Sequence, residues 1–71
     1  MNIDNEEEAL RAVTLWRTEP AGAQLRSLKL AVESLELSQM YYEQKGNDKG
    51  IARVSACLAI LNSRIRDLSA E

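Results

Sequence analysis

The clearest pattern of apolar residues lies in the last third of the chain. Apolar side chains recur there at alternating spacings of three and four, at Ile51, Val54, Leu58, Leu61, Ile65 and Leu68. This spacing keeps the side chains on one face of an α-helix and is typical of a seam between two packed helices. Asn47 or Asp48 can cap the start of this helix. The pattern therefore predicts a third helix over residues 48–69.

A longer second helix is predicted over residues 20–45. Thr18 or Glu19, with Pro20 in the first turn, opens it, because proline lacks an N–H that would be unpaired there anyway. Gly46 ends it at a position suited to a left-handed conformation.

The apolar residues of this second helix form two sets on different faces. One set has the spacing of a helix–helix seam, with Gln39 interrupting it: Leu25, Leu28, Val32, Leu35 and Tyr42. The other set lies near the opposite face: Ala23, Leu30, Leu37 and Tyr41. One neighbouring helix cannot cover both faces, since they are nearly opposite at about 100° per residue.

A short first helix is predicted over residues 5–17, capped by Asp4 or Asn5. Three glutamates occupy its first turn, where the helix dipole favours negative charge. Successive helical positions point about 100° apart, so we read them as helix-start electrostatics, or as an acidic contact for a basic partner, and not as a metal site. The apolar arc that ends at Trp16 is too short to hold a helix alone in water, so it anchors to the chain's own hairpin or to a partner.

These elements define the predicted fold class. The turn over residues 46–47 is short, so the second and third helices are antiparallel neighbours whose seams face each other. The prediction is an all-α, single helical domain over residues 1–71, an antiparallel coiled-coil-like hairpin preceded by a short N-terminal helix.

Composition and charge exclude several classes of partner. Nine basic and eleven acidic residues give a net charge of −2, which disfavours nucleic acid. The longest apolar run is Ala56–Leu61, far below the roughly 20 residues that span a bilayer, so no membrane insertion is expected. Cys57 is the only cysteine, which favours a reducing compartment. The sequence predicts a soluble, cytoplasmic protein.

The residues needed for common catalytic chemistry are missing. The chain has no histidine, so it cannot form a Ser/His/Asp or Cys/His nucleophile arrangement or the usual zinc ligand sets. Cys57 lies on the packed side of the third helix, where we expect it to act as a small apolar residue and not as a reactive thiol. We therefore expect no enzyme activity, no catalytic residue, no metal, no cofactor and no small-molecule substrate.

The candidate functional residues belong instead to surfaces for protein partners. Leu30, Leu37, Met40 and Tyr41 lie away from the hairpin seam, and either the first helix or another molecule covers them. A second candidate edge on the third helix runs along Arg53, Cys57, Ile60 and Arg64, which either receives a partner or is an ordinary solvated rim. Trp16 and the tyrosines are the natural anchors in both cases, since aromatic residues dominate interface energetics.

Two layouts resemble known families. Residues 35–61 are similar to a helix junction of a tetratricopeptide repeat, but no second copy follows, which excludes a repeat array. The whole chain resembles the small co-chaperones of type III secretion needle subunits. The likeness rests on a short acidic first helix, a helix of about 26 residues, a Gly-Asn/Asp turn and a closing helix that contains Ala56-Cys57-Leu58-Ala59-Ile60-Leu61.

The resemblance implies a helical hairpin that acts with a second chaperone to hold a secretion subunit soluble. We therefore expect a non-enzymatic interaction module, a small chaperone or adaptor that binds helices of partner proteins. Two alternatives stay open: a self-associating structural bundle that forms a homo-oligomer, and a small regulator that binds DNA or a DNA-binding protein.

Overall fold

The computed structural model describes residues 3–70 and is all-α over that range. Its helices are α1 (Glu6–Trp16), α2 (Ala21–Lys45) and α3 (Asp48–Ala70). α2 and α3 pack against each other as an antiparallel hairpin, with α1 preceding them. The predicted fold class is therefore confirmed. None of the helices within residues 3–70 is long and apolar enough to cross a membrane.

The turn between α2 and α3 is built from two residues with separate tasks. Gly46 has φ 66° and ψ 29°, the left-handed conformation predicted for it. Its N–H donates to the carbonyl of Glu43 (3.2 Å), and the N–H of Asn47 donates to the carbonyl of Tyr42 (2.9 Å). This pair of bonds is the Schellman arrangement, which satisfies the last carbonyls of a helix.

Asn47 also starts the next helix. Its side-chain Oδ1 accepts a hydrogen bond from the N–H of Gly50 at 3.0 Å, so Asn47, and not Asp48, supplies the side-chain cap. One residue thus helps to end α2 with its backbone and begins α3 with its side chain, so the two helices are joined by a short turn with no further linker.

The start of α1 has a reciprocal cap. Oδ1 of Asn5 accepts from the N–H of Glu8 (2.9 Å), and Oε1 of Glu8 accepts from the N–H of Asp4 (2.9 Å). Of the two residues that could cap this helix, the structure uses Asn5. Glu8 therefore has a local structural task, in keeping with the expectation that the acidic first turn serves the helix start.

The prediction that Thr18 or Glu19 caps α2 is wrong. The residue at the cap position is Pro20, and no side chain caps the helix there. The hydroxyl of Thr18 instead donates to the carbonyl of Leu15 at 3.2 Å, at the end of α1. The N–H of Glu19 donates to the carbonyl of Trp16, so the residues expected to open α2 are used to close α1.

The core lies where α3 meets both other helices. α2 makes the larger contact with α3, and α1 packs more extensively on α3 than on α2. The buried cluster contains Ala9, Val13, Leu28, Leu35, Val54, Cys57, Leu61 and Leu68. Ile51, Leu58 and Ile65 of the predicted seam are only half-buried, whereas Cys57, one position beside that seam, is fully buried. The buried face of α3 is therefore wider than the seam, because α1 covers a second side.

Gly50 permits a close approach between the two arms of the hairpin. A β-carbon at this position would lie 2.7 Å from Cγ and Cδ1 of the Tyr42 ring. These ring atoms sit next to the backbone of α2, so they cannot move away without shifting the helix. Gly22, in the first turn of α2, is the opposite case, because nothing lies within 4 Å of its β-carbon position.

The two glycines give a matched pair of predictions for stability. We expect Gly50→Ala to lower the free energy of unfolding by about 1–3 kcal/mol, because the added methyl group overpacks the contact with Tyr42. We expect Gly22→Ala to raise it by about 0.5–1 kcal/mol, since alanine loses less backbone entropy than glycine in a helix. Urea unfolding followed by circular dichroism measures both changes. Equal effects of the same sign would contradict the role assigned to the Tyr42 contact.

Candidate functional site

The largest exposed apolar surface of the long helix lies on the side of α2 that faces away from α3. Four side chains there have high exposed fractions: Leu30 61%, Leu37 68%, Met40 58% and Tyr41 57%. We call these four residues the α2 stripe. Positions 30, 37 and 41 are seven and four residues apart, so they share one helix face, and Met40 borders it. α1 does not cover them, which rules out the alternative that they pack beneath the first helix.

The length and placement of α1 explain why the stripe stays open. Eleven residues make a helix of about 16 Å, whereas the 25 residues of α2 extend about 38 Å. α1 also lies mainly on α3 and not on α2. Because α1 is short and docks mainly on α3, it does not extend along the outer face of α2.

Trp16 connects α1 to one end of the stripe. Its half-buried side chain packs against the core cluster. It also lines a shallow open depression with Ser27, Leu30, Ala31 and Ser34 of α2. The Trp16 indole therefore lines this depression together with small side chains of α2 and with Leu30.

The other end of the stripe carries aromatic and cationic groups. The rings of Tyr41 and Tyr42 meet edge to face, with centres 5.8 Å apart and planes at 66°. Nζ of Lys45 lies 5.7 Å from the centre of the Tyr41 ring, and the Arg53 guanidinium lies 5.8 Å from that of Tyr42. Nη2 of Arg53 also donates to the Tyr42 hydroxyl at 3.2 Å. These contacts restrict Tyr41 and leave its ring exposed.

The structure separates the second candidate edge into residues with different environments. Cys57 is fully buried, Ile60 is half-buried against the core, and only Arg53 remains exposed. Nη2 of Arg64 donates to Oε1 of Gln24 at 3.1 Å, so its head group is used within the fold. This edge is therefore not one continuous exposed surface, because Cys57 and Ile60 are covered within the fold and Arg64 is paired with α2.

Gln24 is a structural residue that the sequence reasoning missed. It is 4% exposed and lies between two partners from other parts of the chain. Its Nε2 donates to the carbonyl of Glu19 (2.7 Å), and its Oε1 accepts from Arg64. Gln24 lies four residues before Leu28 in the sequence, and this spacing, which places a polar side chain on the packed face of α2, could have identified it. Gln24 ties the loop between α1 and α2 to α3.

Cys57 has the properties of a packing residue. Its thiol is fully buried beside the first turn of α1. Burial raises the pKa of the thiol above its usual value, and the negative charge of Glu6 raises it further, although Arg53 opposes this. Both effects disfavour the thiolate, which is the nucleophilic and metal-binding form. Over residues 3–70, no group of three His, Cys, Asp or Glu side chains is placed to hold a metal ion.

Comparison of the chain with protein-family models, with curated proteins and with solved structures gives no match.

The environment of Cys57 predicts slow thiol chemistry. At pH 8 we expect alkylation in the folded protein to be at least about 100-fold slower than in the same protein unfolded in urea, because only opened molecules expose the thiol. Mass spectrometry of timed iodoacetamide reactions measures both rates. Comparable rates in the two states would contradict the burial of Cys57.

The raised pKa also sets a dependence of stability on pH. Because the folded state holds the thiol proton more tightly, its contribution is complete below the pKa of an unfolded thiol, about 8.5, and is lost as the pH rises above it. We expect the free energy of unfolding to fall more steeply between pH 8 and 10 in the wild-type protein than in Cys57→Ala. Urea midpoints across this range measure the slope, and parallel slopes would contradict the assignment.

Proposed function

We propose that the chain is a non-enzymatic protein–protein interaction module, a small chaperone or adaptor, that binds a helix of a partner protein through the α2 stripe. The observation that carries this proposal is the exposure of four large apolar side chains along one side of a single helix. Monomeric proteins rarely leave a contiguous apolar surface of this kind open to water unless it has a use.

The arrangement of the stripe suits an amphipathic helix as the ligand. Leu30 and Leu37 are two helical turns apart, which matches the spacing of apolar anchors on a partner helix. Trp16 and Tyr41 stand at its two ends, and aromatic side chains supply much of the binding free energy in interfaces. Burial of these groups removes apolar area from water at about 25 cal/mol per Å², before the costs of association are subtracted.

The chaperone part of the proposal draws on the resemblance in layout to the co-chaperones of type III secretion needle subunits. If that resemblance extends to function, the partners are a second chaperone and, directly or through it, a secretion subunit that must not polymerise early. We place this activity in the cytoplasm, where a lone cysteine stays reduced.

The proposal predicts that partner binding depends on the stripe and not on the charge of α2. We expect the double substitution Leu30→Glu/Leu37→Glu to abolish retention of the partner, because two carboxylates would have to be buried in an apolar contact. Affinity purification from cells that produce the chain, with quantitative mass spectrometry of the co-purified proteins, measures retention.

Lys29→Glu is the matched control. It changes the net charge by the same −2 as the double substitution, and residue 29 lies on α2 outside the stripe. We expect this variant to retain the partner, and circular dichroism should show both variants as helical as the wild type. The proposed function is wrong if no protein is found that the Lys29→Glu variant retains and the double variant loses.

A further inference from the structure

We infer that a second copy of this chain occupies the α2 stripe, in antiparallel orientation, when no other helix is bound there. The inference uses the surface named in the proposed function and rests on that proposal for its biological meaning. The first observation is the distribution of small and large residues along the outer face of α2. Six residues follow one another there at spacings of four and three, with the small ones mostly in the first half and the large ones mostly in the second: Ala23, Ser27, Leu30, Ser34, Leu37 and Tyr41.

An antiparallel second copy turns this distribution of sizes into complementary packing. When Leu30 lies opposite Ser34 of the second copy, the same register places Leu37 opposite Ser27 and Tyr41 opposite Ala23. Each large side chain then meets a small one, which lets the two helices approach closely. A parallel copy in register would instead place Leu30 against Leu30 and Ser34 against Ser34, and would leave gaps at every serine.

Two-fold symmetry doubles each of these contacts. In such an interface a contact from residue i to residue j implies the contact from j to i, so three complementary pairs become six. They extend over the 19 positions from Ala23 to Tyr41, about 27 Å of helix. The pattern is therefore self-complementary over most of α2.

The depression beside Trp16 lies where the register requires space. Its lining includes Ser27 and Ser34, the two residues that would face leucines of the second copy. The depression is open in the folded chain, and Trp16 lies beside it, where it can contact the incoming side chain.

The charges of α2 favour the same orientation. Residues 21–32 carry Arg26 and Lys29 and no acidic residue, whereas residues 33–44 carry Glu33, Glu36 and Glu43 and no basic residue. An antiparallel copy places the basic half against the acidic half, and a parallel copy places like against like. Such exposed charges contribute little to affinity but select the orientation.

Glu33 is the exception to this charge complementarity, and its position makes a specific prediction about the strength of self-association. It borders the stripe close to the two-fold axis, so the Glu33 carboxylates of the two copies would lie near each other. Like charges at that position weaken self-association. A single pair of helices also gives a small interface, so we expect a dimer that dissociates on dilution.

The pairing of large with small side chains is tested with the purified 71-residue chain by sedimentation equilibrium over a dilution series. We expect a monomer–dimer equilibrium whose dissociation constant rises at least about tenfold in Ser34→Leu, because the added side chain fills the space opposite Leu30. This variant makes the outer face of α2 more apolar, so non-specific hydrophobic association would instead lower the dissociation constant. The exchange variant Leu30→Ser/Ser34→Leu restores the large–small pair and should recover dimerisation.

Glu33→Gln should lower the dissociation constant of the dimer severalfold, because it removes the repulsion between the two Glu33 carboxylates.

The substitutions at Leu30 and Ser34 keep the fold, because both residues are exposed, and circular dichroism verifies this. A wild-type chain that stays monomeric at millimolar concentration overturns the inference, as does a Ser34→Leu variant that dimerises as tightly as the wild type.

Orientation is tested with spin labels on Glu33→Cys and, separately, on Gln44→Cys, since the buried Cys57 labels slowly in the folded protein. In the antiparallel dimer the two labels at position 33 lie near the axis, whereas those at position 44 lie about 36 Å apart along the helices. Short distances at both positions would indicate a parallel dimer and overturn the inference.

Different results would contradict the proposed function and the inference of a second copy. If Leu30→Glu/Leu37→Glu loses a partner in cells but the pure chain never dimerises, the inference is wrong and the proposed function stands. If the pure chain dimerises as described but no other protein depends on the stripe, the proposed function is wrong and the inference stands.

Discussion

The packing of two helices onto α3 is the constraint on which the rest of the structure depends. Cys57 and Leu61 are fully buried because α3 has neighbours on two sides, and α1 reaches it through small residues, with Ala9 and Ala12 completely covered. Within residues 3–70, α1 is the one helix outside the hairpin, and it packs mainly on α3. The outer face of α2 is left without a neighbour as a direct result, so the candidate docking surface follows from the same packing that makes the core.

Polar contacts along the whole hairpin hold α2 in position relative to α3. The turn at Gly46 and Asn47 and the bond from Arg53 to the Tyr42 hydroxyl lie at one end, the bond from Gln39 Nε2 to Ser55 Oγ (3.1 Å) crosses the middle, and the contact of Gln24 with Arg64 closes the other end. Rotation of α2 about its axis would separate these side chains from their partners on α3. The stripe is therefore presented by a rigid element, which lowers the entropy lost when a helix binds to it.

The sequence predicted what depends on local spacing and missed what depends on which surfaces meet. The third-helix pattern, the left-handed Gly46 and a cap at Asn47 follow from chemistry within a few residues. The docking side of α1 could not be predicted, because its apolar arc fits α3 or the outer face of α2 equally well. The burial of Cys57 and Ile60 within the Arg53–Arg64 edge depends on the same docking, and Gln24 was missed because its partners lie at Glu19 and at Arg64, forty residues away.

The serines between the leucines decide what kind of helix can bind. Ser34 lies between Leu30 and Leu37 on this face and Ser27 lies one turn before Leu30, so the face has small side chains beside its large ones. A helix that lies along α2 must bring large side chains opposite both serines, two turns apart, and small ones opposite Leu30 and Leu37. The outer face of α2 itself meets this requirement when reversed. On the inference of a second copy at this face, a partner protein that displaces it must imitate the face in shape and improve on it where the Glu33 carboxylates meet.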